Sequence, residues 1–150
     1  MKYNKMIKAK FIERPNRFVA YCDINGEVEK IHVKNTGKCK ELLVPGYEVY
    51  LEESNNPARS TKYSLIAVKK GDRLINMDSQ VTNKIVYESL EDKSLILPGF
   101  DEDITLIKPE KTYGNSRFDV YIEGKTKKAF IEVKGCTLEI DGVVKFPDAK

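Results

Sequence analysis

The sequence is poor in the residues that build metal and redox centres. Histidine occurs once, at His32, tryptophan is absent, and Cys22, Cys39 and Cys136 lie far apart with no Cys-x-x-Cys spacing. A structural zinc site needs several closely spaced sulfur or nitrogen ligands, and a disulfide framework usually has an even number of cysteines. The sequence therefore argues against both, and its cysteine usage fits a reducing cytoplasm.

Long apolar runs are also missing. No stretch approaches the roughly 20 apolar residues that a membrane span needs, so we expect no membrane partner. Residues 1–8 carry scattered lysines without an apolar segment or a small-residue cleavage site, which predicts that they are not a signal peptide. The chain has 150 residues, 41% of them hydrophobic and 33% charged. These values are typical of one ordinary globular domain or two small ones.

The small positive net charge is unevenly distributed. Residues 1–80 contain 15 Lys+Arg and 10 Asp+Glu, whereas residues 81–150 contain 11 and 13, giving +5 and −2. A basic first half suits phosphate binding, and a carboxylate-bearing second half suits a cation. Solubility alone would also explain a bias this mild.

Residues 1–79 read as short strands. Alternating segments run over residues 7–14, 18–24, 28–33, 47–52, 63–69 and 74–77, with a helical turn or two over residues 38–43. Asn25-Gly26 is a strong hairpin signal, because both residues accept the positive φ of a tight turn. We predict an OB-like β-barrel, with an SH3-like or other small barrel as the alternative.

Cationic side chains accompany this predicted barrel. OB barrels commonly bind nucleic acid through a basic groove with aromatic platforms. Residues that could supply the groove are Arg17, Lys30, Lys34, Asn35, Lys38, Lys40 and Arg59, and the candidate platforms are Tyr21, Tyr47, Tyr50 and Tyr63. Asn35-Thr36-Gly37 predicts a tight turn whose amides could contact an anion. The alternative is that the tyrosines belong to the barrel core or rim and the lysines only solvate it.

A change of pattern at residue 80 predicts a second domain. Apolar residues repeat at helical spacing over residues 81–90, with Ser79 as the expected N-cap. Glu88 lies near the edge of the apolar face and could point toward a later strand. Its alternative is a surface ion pair with Lys84, four residues earlier. Asp101-Glu102-Asp103 is an acidic cluster that reads as a solvated loop or as an addition to a cation site.

The stretch from residue 116 to residue 135 predicts a β-hairpin. The greatest overlap of its apolar faces pairs Val120 with Ile131, Ile122 with Ala129 and Phe118 with Val133. That register sets Asp119 opposite Glu132, and the two-residue side-chain period puts Lys134 on the same face.

Two directly opposed carboxylates destabilise a sheet unless something compensates them. Mg²⁺, or Mn²⁺ in its place, could do so with Asp119 and Glu132 as oxygen ligands, and Lys134 could polarise a water. The alternative is an ordinary solvated face neutralised by Arg117, Lys134 and bulk water.

Three blocks of sequence resemble one known family. They are residues 33–46 (VKNTGKCKELLVPG), residues 117–119 (RFD) with residues 129–138 (AFIEVKGCTL), and residues 146–149 (FPDA). In this order the blocks resemble the sugar fermentation stimulation protein family (SfsA). The resemblance spans nearly the whole chain.

The resemblance implies an N-terminal OB-fold domain over residues 1–79 and a C-terminal PD-(D/E)xK nuclease-like α/β domain over residues 80–150, with DNA binding as the activity. The nuclease-like pattern falls on Glu88, Asp119, Glu132 and Lys134, which would then be the catalytic residues. The family continues beyond its FPDA block with a helix and a strand. We therefore expect an incomplete second domain, whose open sheet edge could form a homodimer.

Three functions follow from these expectations. The first is a regulatory DNA-binding protein that carries a nuclease-like carboxylate and lysine site. The second is an active Mg²⁺-dependent nuclease that cleaves DNA phosphodiesters. The third is an RNA-binding protein, since OB barrels accept both nucleic acids.

Overall fold

The computed structural model describes residues 1–146, which divide into two compact units. One unit is Gln80–Gly135 together with Met1, and the other is Lys2–Ser79 together with the segment that begins at Cys136. The sequence predicts one domain over residues 80–150, whereas the structure groups the segment that begins at Cys136 with the unit Lys2–Ser79. Pro147–Lys150, which hold most of the third family block, lie outside the described residues.

Six strands build the unit Lys2–Ser79. They are β1 (Met6–Asn16), β2 (Val19–Ile24), β3 (Glu27–Val33), β4 (Glu48–Glu53), β5 (Tyr63–Lys70) and β6 (Arg73–Asn76). Antiparallel pairing joins β3-β2-β1-β4-β5, and a parallel pairing of β3 with β5 closes the ring. Five strands closed in this way form the OB-like barrel predicted from the sequence, and β6 extends it beside β5.

Local sequence signals account for this pairing. Asn25 and Gly26 have φ values of +56° and +93°, and Asp23 Oδ1 accepts a 2.6 Å hydrogen bond from Gly26 N, so the tight β2–β3 turn forms as predicted. Alternate residues of the strands fill the barrel, and fully buried examples are Ala20, Ile31, Val33, Val49, Leu51, Leu65 and Val68.

A single helical turn follows β3. The carbonyl of Cys39 accepts hydrogen bonds from Leu42 N at 3.1 Å and Leu43 N at 2.9 Å. Cys39 has a positive φ of +45°, and its side chain is buried together with that of Leu42. The buried side chains of Cys39 and Leu42 thus attach this turn to the barrel core. The preceding loop, residues 36–38, lies at the surface.

The unit Gln80–Gly135 contains one helix and a three-stranded antiparallel sheet. Its elements are α1 (Thr82–Glu91), β7 (Leu106–Tyr113), β8 (Ser116–Glu123) and β9 (Lys128–Ile131), with sheet order β7-β8-β9. Leu90 of α1 packs on Val120 and Ile122 of β8, and partly buried apolar side chains surround these three. Strands β7 and β9 are the sheet edges, and homodimerisation through such an edge stays a prediction.

Two details differ from the sequence-based expectation. The N-cap residue of α1 is Val81 and not Ser79, and Val81 has no side-chain capping bond. The Ser79 hydroxyl donates to Lys34 O at 3.1 Å. The sequence predicts a strand over residues 104–108 and a polar connection over residues 109–115, but residues 109–113 form the second half of β7. Its polar side chains are tolerated there because an antiparallel sheet can expose one face to water.

A short hairpin follows Gly135. β10 (Glu139–Ile140) pairs with β11 (Val143–Val144) around Asp141 and Gly142, both at positive φ, as the sequence predicts. No helix within residues 1–146 has the length and apolar character that crossing a membrane requires.

Candidate functional site

The predicted register of the β8–β9 hairpin is confirmed over most of its length. Val120 pairs with Ile131, and Ile122 pairs with Ala129. The last two predicted pairs were wrong, because β9 ends at Ile131. Instead of extending the ladder, Val133 donates its backbone N–H to Oδ2 of Asp119 at 2.8 Å.

A backbone irregularity in β7 lies opposite Asp119, where the predicted pairing fails. Glu110 has a φ of +55°, and it lies where the β7–β8 register skips from Pro109↔Val120 to Lys111↔Phe118. The position that Glu110 would have paired with is Asp119. Strict alternation therefore fails at this point: Phe118 packs on Phe130 at 4.9 Å between ring centroids rather than joining the buried Val120 and Ile122.

The Asp119 carboxylate is turned toward α1. Its Oδ1 accepts a 2.7 Å hydrogen bond from Nδ2 of Asn83, which lies in the first turn of the helix. Together with the Val133 N–H, this bond gives each carboxylate oxygen a donor. Asn83 was not found by sequence reasoning, because an asparagine near a helix start usually signals capping and not a contact with a strand residue.

Glu132 and Lys134 form an ion pair with each other, and their side chains are 46% and 53% exposed. The hydrogen bond that Lys134 donates to Glu132 raises the pKa of Lys134, and the nearby charge of Asp119 acts in the same direction. Lys134 is therefore a protonated cation at neutral pH, which makes it a candidate electrostatic contact and not a base.

Glu88 does not join these residues. Its carboxylate contacts the Met1 amino group at 2.8 Å and Lys84 Nζ at 3.7 Å, so the alternative surface ion pair at i−4 is what forms. The hydrogen bond from the amino terminus lowers the pKa of Glu88, and Lys84 adds to this effect. Helix α1 thus presents Asn83, and not Glu88, to Asp119.

Asp119 and Glu132 are the candidate ligands for a divalent cation. Asp119 and Glu132 have the oxygen chemistry that Mg²⁺ or Ca²⁺ prefers. Within residues 1–146, however, no group of three or more His, Cys, Asp or Glu side chains is placed to hold a metal ion. Both Asp119 oxygens accept N–H donors, and Glu132 is paired with Lys134. In this arrangement Asp119 and Glu132 do not fit a divalent cation.

The acidic cluster has a local role. Glu102 accepts backbone hydrogen bonds from Thr126 N at 3.0 Å and Lys127 N at 2.6 Å, and these bonds lower its pKa. Asp101 pairs with Lys127, and Asp103 pairs with Lys93. The cluster therefore holds the turn between β8 and β9 and contributes no ligand to Asp119.

The barrel unit presents a groove of about 410 Å³ beside the loop that follows β3. Its residues combine apolar and cationic side chains with an exposed loop backbone: Phe11, Ile12, Glu13, Arg14, Asn16, Arg17, Thr36, Gly37, Lys38, Lys40, Leu43 and Pro45. Of the seven residues predicted to supply a nucleic-acid groove, Arg17, Lys38 and Lys40 lie here. Thr36 and Gly37, two residues of the predicted tight turn, also line the groove.

Arg14 organises this groove, although sequence reasoning did not single it out. Its guanidinium donates to the carbonyls of Arg17 and Asn35 at 2.7 Å each, and to those of Gly37 and Lys38 at 2.6 and 3.1 Å. Burial lowers the pKa of Arg14 from its usual value. One rigid fork of donors thus fixes both loops that bound the groove.

Lys30 does not line the groove, and the three remaining predicted contacts have internal partners. Asn35 Oδ1 accepts the Gly37 N–H at 2.8 Å, which forms the expected turn. Lys34 donates to Asp78 at 2.6 Å and lies 3.8 Å from Glu52, with only 16% of its side chain exposed. Arg59 donates to Thr61 Oγ1 at 3.3 Å and Ser64 Oγ at 3.0 Å.

The predicted aromatic platforms are only partly available. Tyr63 is buried in the barrel core, in agreement with the alternative interpretation. Tyr50 donates its hydroxyl to Glu48 at 2.6 Å and lies under the Lys8 ammonium, 5.7 Å from the ring centroid. Tyr47 is 36% exposed, but neither it nor Tyr21 lines the groove. None of the four predicted tyrosine platforms therefore lines the groove.

Comparison with known proteins connects both units to one family. The family model described as SfsA N-terminal OB domain matches residues 12–77, and the model described as Sugar fermentation stimulation protein RE domain matches residues 80–150. The chain belongs to the sugar fermentation stimulation protein family. This confirms the resemblance carried by the three sequence blocks.

Similar proteins cover this chain almost completely. A sugar fermentation stimulation protein homolog from Clostridium beijerinckii is 61% identical over 149 residues, covering 99% of this chain and 64% of the relative. One from Desulfitobacterium hafniense is 52% identical, covering 99% of this chain and 63% of the relative. The chain thus spans a little less than two thirds of the length of these relatives.

A solved structure shares the fold. Pyrococcus furiosus SfsA, solved in complex with Ca²⁺, superimposes with a TM-score of 0.84 and 26% sequence identity, covering 100% of this chain and 63% of that chain. Its bound Ca²⁺ belongs to that protein. In this chain the expected carboxylates have the N–H and lysine partners described above.

Proposed function

We propose that this chain binds DNA through the groove of its OB-like barrel and acts as a regulatory binding protein. The observation that carries the proposal is the arrangement of Arg17, Lys38 and Lys40 around a groove whose loops Arg14 holds in place. Because Arg14 already holds the backbone of these loops, little loop entropy is lost when a phosphate backbone arrives, which favours binding.

The groove suits the DNA backbone better than a specific sequence. Its lining includes the apolar Phe11, Leu43 and Pro45. Apart from Glu13, its charged groups are cations of the kind that contact phosphate. Base-edge readout normally needs side chains such as Asn or Gln aimed at a groove of the duplex, and here Asn35 is already bonded to Gly37 N. We therefore expect weak sequence preference and strong salt dependence.

The test is a binding isotherm measured by fluorescence anisotropy at several salt concentrations. Removing a phosphate contact reduces the slope of log K against log[salt] by about 1. Lys38→Ala and Lys40→Ala should each lower affinity and reduce this slope. Lys69→Ala is the matched control, because it removes the same charge from an exposed position that does not line the groove. A slope that changes equally in all three variants would refute the groove as the binding site.

Two further experiments test the alternative functions, DNA cleavage and RNA binding. Wild-type protein is incubated with DNA and Mg²⁺ or Mn²⁺, and the DNA is analysed for cleavage products. Metal-dependent hydrolysis that is lost in Asp119→Asn would favour the nuclease. RNA of the same sequence competes against single-stranded and duplex DNA, and preferential displacement by RNA would favour the third function.

A further inference from the structure

Four aromatic side chains cluster on one face of the β7-β8-β9 sheet, a set called here the aromatic face. Phe130 lies at its centre, with ring centroids 5.1 Å from Tyr113, 4.9 Å from Phe118 and 4.9 Å from Tyr121. Tyr113 is 68% exposed and Phe130 is 36% exposed. Tyr121 is buried, with 5% exposed, and Phe118 is half-buried, so these two support the exposed pair from below. Adjacent exposed apolar groups such as Tyr113 and Phe130 often mark a binding surface.

The aromatic face opposes the side that packs on α1. Val120 and Ile122 of β8 join Leu90 in the buried cluster, whereas the intervening Tyr121 contacts Phe130. The irregularity at Glu110 adds Phe118 to the ring cluster by interrupting the alternation. Without it, three rings and not four would share this surface.

The charges around the rings are mostly positive. Lys111 lies over the Tyr121 ring at 5.4 Å, Lys108 pairs opposite Tyr121, and Lys128 pairs opposite Glu123. Glu123 shares the surface, since it contacts both the Tyr121 hydroxyl and Lys128. Three lysines against one glutamate leave an excess of two positive charges.

We propose that the aromatic face binds unpaired bases of single-stranded DNA. Exposed rings offer stacking platforms for bases, and Lys108, Lys111 and Lys128 suit the phosphates between them. A second copy of the chain would bring the same positive excess against itself. An oligonucleotide supplies both the flat apolar groups and the negative charge that this surface lacks.

This binding differs in kind from that of the barrel groove. The groove contacts phosphates and does not require unpaired bases, whereas stacking on Tyr113 and Phe130 requires bases that have left a duplex. The aromatic face therefore gives the protein a preference for single strands that the groove alone would not provide.

The test compares a labelled thymidine oligomer with a duplex of equal length by fluorescence anisotropy. In Tyr113→Ala and Phe130→Ala, single-strand affinity should fall roughly 5- to 100-fold per lost stacking contact. Duplex affinity should stay within about twofold of wild type. Equal losses for both ligands, or no loss for either, would overturn the proposal.

Controls separate stacking from folding and from apolar contact. Phe130→Leu preserves an apolar side chain but removes the ring, so it should lose single-strand affinity while its thermal melting stays close to wild type. Leu74→Ala removes an apolar residue that is 62% exposed on β6 and should leave affinity unchanged. Wild-type binding by Phe130→Leu would show that a ring is unnecessary and would reject the inference.

A second readout locates the contact. A thymidine oligomer with one 5-iododeoxyuridine should photo-crosslink to a peptide that contains Tyr113 or Phe130. Light scattering on the same samples should show no change of mass in the two alanine variants. Dissociation of a wild-type dimer in those variants, without crosslinks, would identify the surface as a self-association site and contradict base binding.

The two proposals fail in distinguishable ways. If Lys38→Ala and Lys40→Ala leave duplex binding unchanged, the groove proposal fails, and the single-strand loss in Phe130→Ala still decides the aromatic face. If the groove variants lose affinity for both ligands while Phe130→Ala loses none, only the aromatic-face proposal fails.

Discussion

The side-chain amide of Asn83 donates a 2.7 Å hydrogen bond to Asp119 and thereby fastens α1 to β8. The second oxygen of the same carboxylate receives the Val133 N–H at 2.8 Å, just after β9 ends. One carboxylate thus joins the helix, the central strand and the segment after the edge strand. In this structure Asp119 is a connector of the unit Gln80–Gly135.

Replacing Asp119 should therefore cost stability. Asp119→Ala leaves the Val133 N–H and the Asn83 amide without their acceptor, and hydrogen bonds to charged groups contribute about 1.5–3 kcal/mol each. We expect a lower free energy of unfolding for this unit, measured by urea denaturation. Glu132→Gln, which changes an exposed carboxylate on the same segment, should unfold as wild type does.

The same bonds predict the response to metal. A ligand that binds only the folded state raises the melting temperature in proportion to its affinity. Because the Asp119 oxygens already have N–H donors, millimolar Mg²⁺ or Ca²⁺ should not shift the melting temperature of the wild-type protein. A shift that disappears in Asp119→Asn would show that a cation displaces Asn83, and it would restore the nuclease-like interpretation.

Lys34 is predicted to act through folding more than through DNA. It is paired with Asp78, whose side chain is only 2% exposed, and lies near Glu52. Removing one partner of a buried pair leaves an uncompensated charge, which costs about 3–5 kcal/mol. Lys34→Ala should therefore greatly lower the urea midpoint of the barrel unit.

The control for this prediction is a lysine in an exposed pair. Lys62 lies 3.3 Å from Glu53, with 60% of its side chain exposed. Exposed pairs contribute little to stability, so Lys62→Ala should keep a midpoint close to wild type. If Lys34→Ala were as stable as Lys62→Ala and only DNA affinity fell, the assignment of Lys34 to DNA contact would be correct after all.

Arg14 should control the order of the groove loop. Arg14→Lys preserves the charge but replaces a rigid fork by a single ammonium, which cannot reach four carbonyls at once. We expect faster tryptic cleavage after Lys38 and Lys40, because local opening governs access to the protease. Cleavage after Lys70, at the β5–β6 turn, should proceed at the wild-type rate. Equal acceleration there would indicate a global loss of stability instead.

How much of the fold and of the candidate site the sequence predicts depends on how far apart in the sequence the interacting residues are. Val120↔Ile131 follows from alternation, since a one-residue slip would expose the apolar face of β8. The positive φ of Glu110 has no such signal, because a non-glycine residue at this conformation is uncommon in any sequence. That residue lies opposite Asp119, whose carboxylate is held by Asn83 and the Val133 N–H and does not face Glu132 across a ladder pair.

The sequence also could not predict which distant residues would form ion pairs and hydrogen bonds with each other. Lys34 and Asp78 are 44 positions apart, and Arg14 reaches carbonyls 21 to 24 positions away. Lys34, Asp78 and Arg14 are all charged, and charged side chains usually face solvent or, for the two cations, DNA. Only the closed barrel brings the partners together, so a pattern of basic residues predicted the presence of a cationic surface but not which cations remain available on it.

His32 predicts how barrel stability depends on pH. Burial lowers the pKa of His32 from its ordinary 6.5, and the positive charges of Arg59 and Lys34 lower it further. Its Nδ1 is buried without a hydrogen-bond partner in the described residues. As pH falls through 6.5, the unfolded chain binds a proton that the folded chain resists, so stability should decrease. The decrease should level off below the lowered folded-state pKa.

The measurement is the urea midpoint between pH 5 and pH 8, for wild type and for His32→Gln. Glutamine has similar size and polarity but no proton to gain in this range, so its midpoint should lose the fall that wild type shows below about pH 6.5. Carboxylates titrate mainly below this window and should affect both proteins alike. Parallel midpoint curves for the two proteins would show that His32 is protonated as easily in the barrel as in the unfolded chain.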